Sequence, residues 1–111
     1  MKLLKKYNLS INKNISVVTT DNKKQILSHF ISFWDNIEEI KEDLLPEIDS
    51  VINGKLEFND IGADVVGLAY IEQSNTKLIE SDLGHSDFEL PTSDFKELIM
   101  EWLAILESTD R

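Results

Sequence analysis

The C-terminal segment constrains the fold most, because it carries a continuous apolar stripe. Its apolar residues recur at the i, i+3, i+4, i+7 spacing of an amphipathic helix, at Phe95, Leu98, Ile99, Trp102, Leu103 and Leu106. Thr92 or Ser93 is placed to cap the first turn, and Pro91 keeps Leu90 extended before it. A stripe of this composition is not stable in water, so the helix must cover a sheet or another helix.

A second amphipathic stretch is too long to form one helix. Its apolar positions are spaced 4, 3, 4, 3, 4, at Ile26, Phe30, Phe33, Ile37, Ile40 and Leu44, and the pattern continues to a stop at Asn53-Gly54. Unbroken, residues 21–53 would make a rod of about 50 Å, too long for a compact domain of this size. We expect a break at Asp35-Asn36 or at Leu45-Pro46. We favour Pro46, because proline removes a helix hydrogen bond, and expect a short helix from there to Asn53.

The remaining segments favour β-strands. Alternation and β-branched residues predict strands at residues 7–11, 15–20, 55–58, 64–72, 76–81 and 88–90. Turns are expected at 12–14, 59–62 and 73–75, so that the first two strands pair as a hairpin and so do 64–72 and 76–81. Strands grouped as hairpins indicate an α+β fold.

We therefore predict a single domain over residues 1–111. It would have an antiparallel sheet of four to six strands, with two or three helices packed mainly on one face. The other face of the sheet would be more polar and available to a partner.

The chain has no cysteine, which excludes disulfides and thiolate chemistry. The Lys-rich start lacks the apolar run of a signal peptide, and no stretch reaches the roughly 20 apolar residues of a membrane span, so we expect a cytoplasmic protein.

Charge is distributed unevenly along the chain. The net charge is −10, made up of +5 in residues 1–24 and −15 in residues 25–111. An acidic body repels nucleic acids, whose affinity for proteins comes largely from Lys and Arg on phosphates, and it attracts basic proteins. We therefore expect a basic protein partner and no direct nucleic-acid binding. The alternative is that the charge serves solubility alone. The basic N-terminal segment has no assigned role.

Residues with catalytic potential are few. His29 is predicted to be a structural residue at the edge of a helix face, and His85 lies in a loop between acids without enough ligands for a metal site. Ser86 beside His85 and Asp87 is no triad, because a triad is assembled by fold geometry. The paired acids are expected to be solvated, and the glycines form no phosphate-binding motif. We expect no enzymatic activity, no cofactor and no metal; an enzyme using a buried carboxylate with His85 is the catalytic alternative.

The acids near strand ends and loops suggest a binding site. Eight of them surround one predicted sheet, Glu57 among them, against Lys55 and Lys77. Their carboxylates could replace the phosphates in the cleft of a nuclease; the alternative is simple solvation of a sheet rim. The predicted partner-binding residues are Asp60, Asp64, Glu72, Glu80, Asp82, His85, Asp87 and Glu89.

One family likeness rests on several stretches of the chain. They are the hairpin Asp64–Ser81, the segment Phe88–Phe95, Glu101-Trp102-Leu103, Phe33-Trp34 and the stop Asn53-Gly54. With these features the chain resembles the small acidic immunity proteins of bacterial polymorphic-toxin and contact-dependent growth inhibition systems. The resemblance implies a cytoplasmic protein that binds and neutralises one cognate toxin, often a nuclease. That family has no shared site signature, so the resemblance assigns no residue a role.

A second class of function fits the same sequence. In it the chain is an adaptor or a homo-oligomeric subunit, which pairs through an open strand edge or through an apolar part of the Trp102 helix. The inhibitor interpretation instead expects a monomer or weak dimer when the protein is free.

Overall fold

The computed structural model describes residues 2–62, 67–79 and 88–109. The elements in chain order are α1 (Lys2–Lys6), β1 (Ser10–Ile11), β2 (Val17–Val18), a 3-10 turn (Asn22–Lys24), α2 (Gln25–Phe33), α3 (Ile37–Glu39), a π-helical segment (Ile40–Leu44), α4 (Leu45–Ile52), β3 (Phe58–Gly62), β4 (Leu68–Glu72), β5 (Asn75–Ile79), β6 (Phe88–Pro91) and α5 (Thr92–Ser108).

The strands form two antiparallel sheets. The larger has the order β3-β4-β5-β6, and the smaller is the hairpin of β1 and β2. The α+β prediction with a sheet of four to six strands is confirmed. So are the pairing of the N-terminal hairpin, the β4–β5 hairpin and the edge strand β6. Residues 64–66, 80 and 81 of the predicted strands lie outside the described residues.

The larger sheet buries one face under the helices. Its buried apolar side chains belong to a single cluster, with Ala69 and Ile71 on β4, Leu78 on β5 and Leu90 on β6. α4 lies against β3 and β4, and α5 lies against β5 and β6. Because successive strand residues point to opposite faces, the alternate residues of all four strands form a second face. We call this second face the outer face.

The apolar stripe of α5 is confirmed. All six predicted residues are buried, and Trp102 is fully so. The capping prediction is wrong, because the residue before the helix is Pro91 and no side chain caps its first turn. The Thr92 hydroxyl instead donates to the Glu72 carbonyl oxygen at 2.5 Å and shares a hydrogen bond of 2.8 Å with the Thr76 hydroxyl. These bonds fix the start of α5 to the β4–β5 hairpin.

The favoured helix break at Pro46 is wrong, and the break lies at Trp34–Asn36, which includes the alternative Asp35-Asn36. The short helix expected from Pro46 to Asn53 is present as α4. At the break, the Asn36 side chain accepts from the Glu39 backbone N–H at 3.0 Å and starts a new helix. That helical run continues to Ile52 because its π segment accommodates Pro46. The Leu45 N–H bonds to the Ile40 carbonyl, five residues back, so Pro46 falls in the first turn of α4, where its missing N–H is not needed.

The strand predicted at residues 55–58 is also misplaced, because its first two residues form hydrogen bonds with the end of α4. Gly54 adopts a φ of +81°, and the Lys55 and Leu56 N–H groups both donate to the Ser50 carbonyl oxygen. These bonds close the helix end, as the Asn53-Gly54 stop predicted. The strand therefore begins at Phe58 and includes residues 59–62, which were predicted as a turn.

The N-terminus forms a helix where no element was predicted before Tyr7. The Glu101 carboxylate of α5 accepts hydrogen bonds from the Leu3 and Leu4 N–H groups, at 2.9 and 3.0 Å, so it caps α1. The predicted strand 7–11 is thereby reduced to Ser10–Ile11. Tyr7 is buried, and its hydroxyl donates to the Asp94 carboxylate at 2.6 Å.

The same carboxylate pairs with Lys6 at 2.9 Å, which gives one residue of the basic N-terminal segment a structural role. The hydrogen bonds from Tyr7 and Lys6 lower the pKa of Asp94. Burial, together with the hydrogen bond to Asp94, raises the pKa of the Tyr7 hydroxyl well above its ordinary range.

We expect Tyr7→Phe to lower the free energy of unfolding more at neutral pH than in acid. A lowered folded-state pKa means that Asp94 stabilises the fold above its unfolded pKa, about 3.9, and loses this contribution as pH falls through the folded value. Losing the Tyr7 bond should raise the folded-state pKa of Asp94 toward its unfolded value, so this contribution is smaller in the variant and the difference from wild type narrows as pH falls below about 4. Urea unfolding at neutral and several acidic pH values and NMR titration of the Asp94 carboxyl group would measure this. Tyr70→Phe, on the outer face, is the control; identical Asp94 titrations in Tyr7→Phe and wild type would contradict it.

The two tryptophans should respond differently to replacement by phenylalanine. The Trp102 indole N–H donates to the Trp34 carbonyl oxygen at 2.7 Å, whereas the buried Trp34 indole N–H has no acceptor among the described residues. Trp102→Phe should lower the free energy of unfolding by about 2–4 kcal/mol, through a lost buried hydrogen bond and a cavity. Trp34→Phe should cost less, because it removes an unpaired donor. Urea unfolding measures both, and equal losses would contradict the assignment.

Candidate protein-binding face

The predicted site residues divide into two groups. Asp60, Glu72 and Glu89 are described, and all three lie on the outer face. Asp64, Glu80, Asp82, His85 and Asp87 lie outside the described residues.

The strand register places the acids in rows across the sheet. Asp60 pairs with Tyr70, Tyr70 with Lys77 and Lys77 with Glu89, so one row crosses all four strands. Glu72 pairs with Phe58 in the next row. Since paired residues in a sheet point to the same side, these six side chains share one face.

An aromatic pair occupies one part of this face. The Phe58 and Tyr70 rings stack with centroids 5.1 Å apart and planes 16° apart. The Phe58 side chain is 50% exposed, although phenylalanine is normally buried. Sequence reasoning missed Phe58 because the strand was placed a few residues too early, at 55–58, with Phe58 among its apolar positions. Alternation counted from Ile61, a residue that packs against the core, would have placed Phe58 on the opposite side of the strand.

The electrostatics of the outer face are acidic. Its three carboxylates are accompanied by one ammonium group, that of Lys77, which lies 3.8 Å from the Glu72 carboxylate. Both of these side chains are well exposed, so their attraction is weak. The Asn75 amide donates to Glu89 at 2.9 Å and orients that carboxylate.

An open hollow borders the outer face beside Phe58. It has a volume of about 390 Å³ and is lined by Gly54, Leu56, Glu57, Phe58, Glu72 and Gln73. Leu56 is 43% exposed there, and Glu57 adds a further carboxylate to those of the outer face. The Gln73 amide donates to the Ile52 carbonyl oxygen and ties the β4–β5 turn to the end of α4. The hollow therefore extends the mixed aromatic and acidic surface.

In residues 2–62, 67–79 and 88–109 no three metal-ligating side chains come together, and no carboxylate side chain is fully buried. His29 is exposed on α2. The idea of a site at His85 concerns residues outside the described ranges.

Burial removes the stripe, but not the exposed Met100, from the self-association alternative that pairs through the Trp102 helix. Trp102 and the other stripe residues are covered by this chain's own core, so an apolar part of that stripe is not available to a second copy. The edge-strand form remains open, because β3 and β6 are the two edges of the larger sheet.

No helix in the described residues is long and apolar enough to cross a membrane. No protein-family model matches the chain, and comparisons with curated proteins and with solved structures gave no match.

Phe58→Ala should lower the free energy of unfolding by about 1 kcal/mol or less, because an exposed cross-strand contact contributes little. Phe30→Ala, at a fully buried position, should cost about 3–5 kcal/mol. Urea unfolding of both variants would measure the contrast. A comparable loss in Phe58→Ala would mean that Phe58 supports the core and is not free for a partner.

Proposed function

We propose that this chain is an immunity protein, which acts in the bacterial cytoplasm by binding a basic toxin, a nuclease domain, and neutralising it. The observation that supports this proposal best is the outer face, where an exposed aromatic pair lies among three carboxylates.

The charge of the outer face suits such a partner. A nuclease holds its substrate's phosphates with Lys and Arg side chains. Carboxylates on a rigid β-sheet would form ion pairs with these Lys and Arg side chains in place of the phosphates. Complementary charge also raises the association rate, which falls as salt screens the charges. The inhibitor would then exclude nucleic acid from the active site or cover a neighbouring surface.

The aromatic pair suits the centre of an interface. Buried aromatic residues surrounded by a polar rim carry most of the binding energy in protein complexes. Phe58 and Tyr70 have this arrangement, with Asp60 and Glu72 directly across the strands from Tyr70 and Phe58. The ring of Phe58 would lose its solvent exposure on binding, which is favourable.

The size of the outer face indicates that the contact extends beyond it. Four strands about 4.8 Å apart, each about 17 Å long, cover roughly 300 Å². A stable interface buries about 800 Å² on each partner. The hollow at Leu56 and Glu57 supplies part of the difference, and further surface at other edges of the sheet is needed.

Asp60→Lys and Phe58→Ala should each weaken toxin binding. The partner would first be captured from the source bacterium on immobilised protein at low salt, eluted by a salt step and identified. Its toxicity on expression, and the relief of toxicity by co-expression of this chain, would then be tested. We expect a loss of affinity of about tenfold for Asp60→Lys, mainly in the association rate, and about thirtyfold for Phe58→Ala.

The control is Glu97→Lys, which makes the same charge change at an exposed position of α5. It should leave affinity within about twofold, apart from the general effect of net charge. A non-toxic partner, or equal effects of Asp60→Lys and Glu97→Lys, would contradict the proposal. Light scattering that shows a stable dimer, disrupted by Phe58→Ala, would favour the homo-oligomer instead.

A further inference from the structure

A cleft lies at the end of β3 farthest from Phe58. It has a volume of about 380 Å³ and is lined by Phe33, Trp34, Asp35, Glu39, Asp43 and Gly62. We call it the helix-break cleft, because it lies where α2 ends and the run from α3 through the π segment begins. It is separate from the hollow beside Phe58, which shares none of these residues.

The aromatic wall of the cleft is exposed by the break itself. Phe33 continues the apolar spacing of α2 and was expected in the core, but it is 43% exposed. α2 ends at Phe33, and the chain changes direction before the next apolar position is reached. The Phe33 ring packs edge-on against Trp34, with centroids 6.0 Å apart and planes at 81°. The core therefore does not account for this exposed ring.

The remaining walls of the cleft are acidic, and no ion pair within the described residues neutralises their charge. Asp35, Glu39 and Asp43 are exposed, and none of them forms an ion pair within the described residues. Glu39 and Asp43 are four residues apart on one helical run, so their charges repel each other in the free protein. Lys41 on the same run pairs instead with Glu107 of α5, at 2.8 Å. No basic side chain of the described residues lines the cleft.

We propose that the helix-break cleft receives the guanidinium group of an arginine side chain of the toxin, a proposal that rests on the function proposed above. A guanidinium stacks on aromatic rings and donates paired hydrogen bonds to carboxylates, and the cleft offers both. Arginine fits better than lysine, whose compact ammonium group has no planar face to stack. Binding would also relieve the repulsion between Glu39 and Asp43.

The position of the cleft fits a single partner that covers β3. Gly62 is the last residue of β3 and also lies on the outer face, about 13 Å along the strand from Phe58. A toxin surface that lies along this edge strand would thus contact the aromatic pair at one end and the cleft at the other. The cleft would add contact area to the outer face, which is too small to form a stable interface alone.

The direct test uses blocked arginine, N-acetyl-arginine amide, as the probe and needs no toxin. Titration into the isotope-labelled protein at low salt should shift the signals of the Trp34 indole and of residues 33–43 in a saturable way. N-acetyl-citrulline amide has nearly the same shape without the charge and should cause no such shift. The Leu90 amide, at a buried position of β6 on the opposite edge of the sheet from β3, is the internal control.

The variant Asp35→Asn/Asp43→Asn should weaken probe binding about five- to tenfold, as should Phe33→Ala. Glu97→Gln and Met100→Ala, at exposed positions of α5, are the matched controls and should leave binding unchanged. No saturable shift, equal shifts with citrulline, or shifts spread evenly over the acidic surface would each overturn the cleft proposal.

A second measurement separates this proposal from the proposed function. If Asp60→Lys weakens toxin binding and Asp35→Asn/Asp43→Asn does not, the cleft proposal fails and the immunity function stands. If the cleft binds blocked arginine but no toxin is captured, the proposed function fails and the assignment to a toxin arginine fails with it. Losses with both variants, together with arginine binding, are the expected result.

Discussion

The hydrogen bond from the Trp102 indole to the Trp34 carbonyl oxygen joins two decisive parts of the fold, 68 residues apart in sequence. A helix that ends inside a protein leaves carbonyl groups without partners, and leaving them buried and unpaired is costly. The final helix supplies a donor for one of these groups while it covers the sheet. The break after α2 and the burial of α5 therefore depend on each other, and the positions of α3 and α4 follow from both.

This dependence explains which features could be predicted from the sequence. The stripe of α5 and the β4–β5 hairpin were predictable because burial on one side imposes a regular spacing. The break at Trp34 was not, since the choice between it and Pro46 depended on a π-helical turn and on a donor from a distant helix. The same holds for α1, whose first N–H groups are capped by Glu101. In both cases the side chain that completes the hydrogen bond lies far away in sequence, so the local pattern does not reveal it.

The candidate site was predictable to a similar extent. Acids near strand ends were expected to gather around the sheet, and the register places Asp60, Glu72 and Glu89 on one face of it. Phe58 was missed because a strand shifted by a few residues assigns its side chains to the wrong faces. The helix-break cleft was missed because the pattern placed Phe33 in the core; the break that exposes it was the less favoured alternative.

The π-helical segment also determines how the chain tolerates changes in length. A segment whose hydrogen bond spans five residues holds one residue more than the α-helical turn it replaces. Deleting one residue there would restore a regular helix but would rotate everything before it by about 100° relative to α4. Ile48 and Val51 would keep their places in the core, while Ile40, which is fully buried at the start of the segment, would turn away from it. Such a deletion would regularise the helix and disturb the core, so the extra residue is what allows the apolar positions on both sides of the segment to face the same core.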